Sequence, residues 1–253
     1  MINLLHRAKA NFVEIGIQTT NKKALRLINR DFKPYLFRKN ILRLNNKRIF
    51  YEIQLIDGLP ADSYRSLKKS IDWLFVFKPA LIRIMPLMLL PGTYLRQHAR
   101  DFKIRYNPRP PYLSTQSNSF SPEDLKRTQD LRLAMGILYD RGLLRKSIYI
   151  LVKKLGLSFS RIFEGWNHWM RAEHNELMRL LESRPRKNDK IKKAMHLIII
   201  SKIAELSADF VEYLCRRYNK LHVSRTLVRE IHQDRQAFLN SCGIIRKNII
   251  QRL

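Results

Sequence analysis

Residues 12–18 read FVEIGIQ, residues 49–56 read IFYEIQLI and residues 81–90 read LIRIMPLMLL, and these three stretches decide the fold. Apolar and polar side chains alternate along the first two, as they do in β-strands that bury one face. The polar positions carry mainly Glu, Gly and Gln, whereas a strand buried on both faces is apolar throughout. The pattern therefore predicts a sheet with helices packed against one face and a polar barrel lumen on the other.

Helical patterns separate the three strands. Asn21 is a favourable N-cap for a helix after the first strand, and Asp62 or Ser63 can cap the helix after the second. Pro79 ends that second helix immediately before the third strand. Alternation of strands and helices at this spacing predicts consecutive parallel β/α units with right-handed crossovers.

The second half of the chain has a different composition. Residues 105–120 are rich in Pro, Asn and Ser, which predicts an irregular linker. Ser121, followed by Pro122 and two acidic residues, is typical of a helix start, and helical patterns continue from there. We predict an α/β region at 1–104, the linker at 105–120 and an all-α domain at 121–253.

The chain is strongly basic. Its 253 residues include 49 Lys and Arg against 21 Asp and Glu, a net charge of +28. This excess favours contact with nucleic acid or an acidic surface, and it is also compatible with a basic cytosolic enzyme or with the loss of an acidic portion. A basic run at 184–193 is the predicted nucleic-acid contact. Its cations are Arg184, Arg186, Lys187, Lys190, Lys192 and Lys193.

Metal-binding and membrane-spanning patterns do not occur. Cys215 and Cys242 lie far apart and form no ligand motif, so we expect reduced core thiols in a cytoplasmic protein. His168 and His174 lie six residues apart on one predicted helix and do not share a face, so they predict no metal site. The most apolar stretches are shorter than the roughly eighteen residues that a membrane span needs, which predicts a soluble protein without membrane contact.

Several motifs together resemble radical S-adenosylmethionine enzymes, of the type with an N-terminal cobalamin-binding domain and a helical C-terminal domain. They occur in the order and spacing of that family and cover most of the chain. The matching stretches are EIGIQTTN (14–21) with INR (28–30) for the fourth strand and its helix, IQLIDGLP (53–60) for the fifth strand, LPGT (90–93) for the end of the sixth strand, and PPYLST (110–115) with SPEDL (121–125) downstream.

The resemblance implies residues that bind S-adenosylmethionine. It places Gln18 and Arg30 near the cofactor, where an amide suits ribose hydroxyls and a guanidinium suits the methionyl carboxylate. Gln54 stands where the family often has Asp, so an amide replaces a stronger acceptor. Met85 and Met88 fall where the sixth strand of the family lines the adenine.

The resemblance also implies a fold and a reaction. Residues 1–104 would form the second half of a (β/α)6 partial barrel, with Glu14 and Glu52 lining the lumen near the substrate. Family members form a 5′-deoxyadenosyl radical with an electron from a 4Fe–4S cluster, held in a Cys-x3-Cys-x2-Cys loop. This sequence has no such loop, no preceding strands and no cobalamin domain. We therefore expect a truncated or split-gene subunit, inactive alone, whose partner chain or missing segment supplies the cluster and the cobalamin.

Two further hypotheses are compatible with the sequence. In the first, the chain is a non-catalytic basic protein that binds nucleic acid through its helical domain. In the second, two chains pair through the open edges of their sheets and close a six-stranded ring as a homodimer.

Overall fold

A computed structural model of the chain describes residues 1–183, 190–220, 227 and 230–240. The chain divides into two compact units, Met1–Arg132 and Leu133–Leu253. Among the described residues, none of the helices has both the length and the hydropathy of a membrane-crossing segment. The basic run at 184–193 and Cys242 lie outside the residues whose side chains are described.

The first unit contains β-strands and helices in alternation, as the sequence predicts. Its strands are β1 (Phe12–Gln18), β2 (Phe50–Asp57), β3 (Leu81–Pro86), β4 (Arg105–Tyr106) and β5 (Ser114–Gln116). Its helices are α1 (Ile2–Arg7), α2 (Lys22–Leu27), α3 (Pro34–Asn46), α4 (Tyr64–Phe75) and α5 (Tyr94–Gln97), and α6 (Pro122–Met135) contains the boundary between the two units. The predicted N-caps Asn21 and Ser63 accept backbone N–H bonds in the first turns of α2 and α4.

Strands β1, β2 and β3 form a parallel sheet in that order, which confirms the predicted mixed α/β fold with a three-stranded parallel sheet. In the register, Glu14 lies opposite Glu52, and Gln54 lies opposite both Gly16 and Arg83. We call the face of the sheet that carries these residues the polar face. Its members are Glu14, Gly16, Glu52, Gln54, Arg83 and Met85.

The opposite face of the sheet is apolar and buried. Ile53 and Leu55 of β2 have no solvent exposure, and neither do Leu67, Ile71 and Leu74 on the apolar stripe of α4. Helix α3 contacts β2 and buries an apolar stripe of its own. Burial of each such side chain contributes about 1.5–3 kcal/mol to stability, so this face anchors the unit.

The third strand is shorter than the sequence predicts. It ends at Pro86 rather than at residue 90, because proline has no N–H with which to continue the parallel ladder. The chain then pairs in the antiparallel sense: the N–H of Leu89 donates to the carbonyl oxygen of Tyr112 over 2.9 Å, and the N–H of Ser114 donates to that of Leu87 over 2.9 Å. The predicted irregular linker at 105–120 therefore contains the antiparallel pair β4–β5.

The second unit is helical in its described part. A π-helix (Gly136–Asp140) is followed by α7 (Ser147–Leu155), α8 (Phe159–Glu173), α9 (Asn175–Glu182), α10 (Lys190–Glu205) and α11 (Ser207–Arg217). The core of α8 includes the fully buried Trp166 and Met170. Buried Asp234 anchors the start of α7, because its Oδ2 accepts bonds from the N–H groups of Lys146 and Ser147 at 2.9 and 2.7 Å.

Candidate functional site

A hydrogen-bond network crosses all three parallel strands on the polar face. The amide Nε2 of Gln54 donates to Glu14 Oε2 at 2.9 Å and to Glu52 Oε1 at 3.0 Å. The Nε of Arg83 donates to the other oxygen of Glu52 at 3.3 Å. The register explains the network, since the four residues occupy neighbouring positions on one face. Gln54 therefore holds two carboxylates in place with the two hydrogens of one amide group.

The network is acidic within a very basic chain. Glu14 and Glu52 bring two negative charges and Arg83 brings one positive charge, so the group carries a net charge of −1. The Glu52 side chain is 9% exposed, whereas that of Arg83 is 51% exposed. Because the guanidinium is partly in water, it neutralises Glu52 only in part and remains accessible to a ligand. The group can thus bind a cation through its carboxylates and an anion through Arg83.

Gln18 lies on the same face, at the end of β1, and has a left-handed backbone conformation. Its φ angle is +66°, and the pairing of β1 with β2 is interrupted by a bulge between Gly16 and Gln18. A Cβ atom on Gly16 would lie 2.6 Å from Nε2 of Gln18, so the amide of Gln18 lies directly over Gly16. Since Gly16 pairs with Gln54, the two glutamines are neighbours on the polar face. A left-handed residue other than glycine costs about 1–2 kcal/mol, and the described residues include eight such residues besides Gln18.

The methionines and Arg30 occupy different places. Met85 follows Arg83 on the polar face, near the carboxyl end of β3, and is 41% exposed. Met88 lies beyond β3, where it forms an antiparallel bridge with Leu113. Arg30 lies exposed after the end of α2, and among the described residues its side chain makes no hydrogen bond or ion pair with the polar face. The structure thus brings together Gln18, Gln54 and Met85, and leaves Met88 and Arg30 apart from them.

Sequence reasoning missed a buried ion pair at the end of β2. Asp57 is 1% exposed, and its Oδ2 lies 3.4 Å from Nη2 of Arg132. Nη1 of Arg132 also donates to the carbonyl oxygen of Ile84 at 3.1 Å, so this arginine ties α6 to both β2 and β3. Burial raises the pKa of Asp57 to about 6 from its ordinary 3.8, and the guanidinium opposes that effect.

A signal for Asp57 is present in the sequence. Along β2, Ile53, Leu55 and Asp57 alternate with the polar-face positions, so Asp57 occupies a position that should be apolar. A carboxyl group at a buried strand position requires a cation or hydrogen-bond donors nearby. The position therefore predicts a basic partner, although it does not identify Arg132.

The donor set of the chain does not fit an iron–sulfur cluster. Cys215 is buried on α11, and the sequence holds one other cysteine, whereas a cluster of the family's type needs three thiolates. In the part of the chain that the structure describes, no group of three or more His, Cys, Asp or Glu residues could hold a metal ion. The polar face instead offers carboxylates, amides, a guanidinium and a thioether, which suit a polar organic ligand.

The position of these groups matters as much as their chemistry. Gln18 and Met85 lie near the carboxyl ends of parallel strands, the edge at which α/β sheets and barrels bind their ligands.

Comparison with known proteins adds no further residue to this group. No protein-family model matches the chain, and no curated protein matches it.

Proposed function

We propose that this chain supplies part of the S-adenosylmethionine-binding wall of a radical S-adenosylmethionine enzyme of the cobalamin-binding type. In this proposal β1–β3 and their helices are half of a (β/α)6 partial barrel, and the polar face is the inner surface of that barrel. One observation carries the proposal: Gln18, Gln54 and Met85 share the polar face toward the carboxyl ends of parallel strands.

The chemistry of the polar face suits this ligand. The sulfonium of S-adenosylmethionine is a cation, and Glu14 and Glu52 give the face a negative charge. The amide oxygens of Gln18 and Gln54 can accept bonds from ribose hydroxyls, since the Gln54 bonds to the two glutamates use only its nitrogen. The thioether of Met85 is a soft contact for the adenine ring.

The methionyl carboxylate needs a cation. Arg83 lies on the polar face with half of its side chain exposed, and a guanidinium binds a carboxylate well. We therefore propose that Arg83 binds the methionyl carboxylate when the chain is alone. Arg30, the residue that the resemblance indicates, would bind it in a complex in which the partner chain covers α2. The two assignments are separable by mutating each arginine to Gln.

A partner chain is required for the reaction. The cluster, when bound, supplies the electron that cleaves S-adenosylmethionine, and this chain lacks the thiolates to hold it. We propose that the partner carries the cluster loop, the first three strands and the cobalamin domain. Strand β1 is an end strand of its sheet, with the backbone groups of one side directed away from β2, and such an edge can accept a parallel strand. The same edge would serve the alternative pairing of two copies of this chain.

Titration of the purified chain with S-adenosylmethionine tests the proposal. We expect isothermal titration calorimetry to give a Kd on the order of 100 µM, because half of the wall is present. Gly16→Ala should weaken binding about tenfold, since the new Cβ forces the Gln18 amide off Gly16 without changing its chemistry. Lys39→Gln, at an exposed position of α3, is the matched control and should bind as the unmodified chain does. Equal affinities of the Gly16→Ala variant and the control would contradict the proposed wall.

Nucleic-acid binding is a second candidate function, favoured by the net charge of +28. We propose the six cations of the basic run at 184–193 as its contacts. If all six neutralise phosphates of duplex DNA, the logarithm of the binding constant should fall with the logarithm of the salt concentration with a slope of about −5. Fluorescence anisotropy with labelled RNA and DNA measures this slope. Binding that is absent, or independent of salt, would exclude the function.

A further inference from the structure

An open cavity of about 430 Å³ lies at the start of α4. Its walls come from α4 and from the first two turns of α6, both within the first unit. The lining residues are Ser63, Tyr64, Arg65, Lys68, Asp124 and Arg127. They bring three positive charges and one negative charge, so the cavity carries a net charge of +2. A concave surface of one predominant sign concentrates counter-ions.

Two of the cations are held by a buried aromatic ring. The guanidinium of Arg127 lies 4.1 Å from the ring centroid of Tyr64, and the ammonium of Lys68 lies 5.3 Å from the same centroid. Tyr64 is only 4% exposed, so the ring is fixed in the core. Arg127 also pairs with Asp124 at 3.2 Å. These contacts reduce the conformational freedom that the cations would lose on binding an anion.

The start of α4 adds to the positive potential. The first turn of this 12-residue helix contains Arg65 and no acidic residue, although the N-terminal end of a helix favours negative charge. The Oγ of Ser63 accepts the N–H of Ser66 at 3.2 Å, and this bond does not use the hydroxyl hydrogen of Ser63. The buried carboxylate of Asp62, whose Oδ1 accepts the N–H of Ser63 at 2.9 Å, offsets part of this positive potential, and an anion in the cavity would offset more of it.

We propose that this cavity binds a phosphate group of a small ligand. Arg65 and Arg127 offer the planar donor sets that match phosphate oxygens, Lys68 adds a point charge and Ser63 donates its hydroxyl. The Tyr64 ring is buried and carries two cations, so it is not a platform on which a nucleic-acid base can stack. The ring therefore favours a small phosphate over a single-stranded nucleic acid. None of these residues belongs to the polar face, so the inference is independent of the function proposed above.

Titration of the full chain with inorganic phosphate and with pyrophosphate tests this inference. Calorimetry at constant ionic strength, set with chloride, separates binding at a site from general screening. We expect both anions to bind the unmodified chain, and pyrophosphate more tightly. Lys68→Gln and Arg65→Gln should each raise the dissociation constant about tenfold. Arg65 is exposed, so its variant tests the site even if loss of Lys68 disturbs the packing around Tyr64.

Lys39→Gln removes one charge at an exposed position outside the cavity and is the control. Unchanged pyrophosphate affinity in this variant, together with weaker binding in the two cavity variants, supports the inference. If pyrophosphate binding is weakened equally in all three variants, the inference is overturned, because the affinity then responds to net charge alone. An RNA oligonucleotide that binds through Lys68 while both small anions fail to bind overturns it as well, since the cavity would then serve a nucleic-acid backbone.

Discussion

Replacing Arg132 by alanine should lower the free energy of unfolding by about 3 kcal/mol at pH 7. The substitution leaves the carboxyl group of Asp57, 1% exposed, without its guanidinium partner, and the loss of one member of a buried ion pair is strongly destabilising. It also removes the bond to the carbonyl oxygen of Ile84. Urea denaturation followed by circular dichroism measures the change. Arg43→Ala, at an exposed position near the end of α3, should change stability by less than about 1 kcal/mol.

The ionisation of Asp57 gives this prediction a pH dependence. Because its pKa is about 6 in the folded protein and 3.8 is the ordinary value, the folded state binds the proton more tightly than the unfolded state. The resulting contribution to stability is complete below about pH 4 and is lost as the pH rises through about 6, a change of about 3 kcal/mol. The Arg132→Ala variant should therefore lose less stability at pH 4 than at pH 7.

Asp57→Asn tests the assignment of this pH dependence. The amide does not ionise. The decrease in stability between pH 4 and pH 7 should therefore be about 3 kcal/mol smaller in the variant than in the unmodified chain. Asp31→Asn is the control, because Asp31 pairs with Lys33 at the surface and its side chain is 76% exposed. A stability profile that has the same slope in the Asp57→Asn variant and the unmodified chain would contradict the assignment.

Gln54→Glu should lower the free energy of unfolding by about 2 kcal/mol near neutral pH. The new carboxylate has the shape of the amide, but it cannot donate to Glu14 and Glu52, and it places a third negative charge about 3 Å from theirs. Urea denaturation curves at pH 7 measure the loss.

The same substitution at an exposed glutamine separates this effect from a change in net charge. Gln129→Glu, on the surface of α6, adds one carboxylate outside the polar face and should change stability by no more than about 0.5 kcal/mol. Equal effects at the two positions would contradict the network. The resemblance leads one to expect Asp at position 54, where this chain has Gln. A larger loss of stability for Gln54→Glu than for Gln129→Glu would explain the amide, because a third acid at that position is incompatible with Glu14 and Glu52.

Local patterns in the sequence are sufficient for much of the fold. Alternation predicts β1 and β2 with their correct faces, and the side chains of Asn21 and Ser63 predict where α2 and α4 begin. The apolar run at 81–90 did not reveal that β3 ends at Pro86, because both sides of that proline are apolar and extended. The pair β4–β5 was also missed, since its strands have two and three residues and show no periodicity.

The candidate site could be predicted only in part. Gln54 lies on the polar face because successive side chains of a strand alternate between its two faces, and this alternation is visible in the sequence. Alternation also assigns Gln18 to that face, together with Glu14 and Gly16, but it does not reveal the bulge and the left-handed backbone conformation of Gln18. The pairing of Asp57 with Arg132 joins residues that are far apart along the chain, so no local pattern could have predicted it.

The pairing of β1 with β2 has a consequence for synthesis on the ribosome. Phe12 lies opposite Phe50 in the register, so β1 leaves the ribosome before its neighbour does. At about 5–20 residues per second, the ribosome needs roughly 2–8 seconds to make the intervening chain. During that interval β1 exposes apolar side chains and unpaired backbone groups on both edges. Nascent chains of this protein therefore pass through a stage in which binding of β1 by a chaperone would favour correct folding.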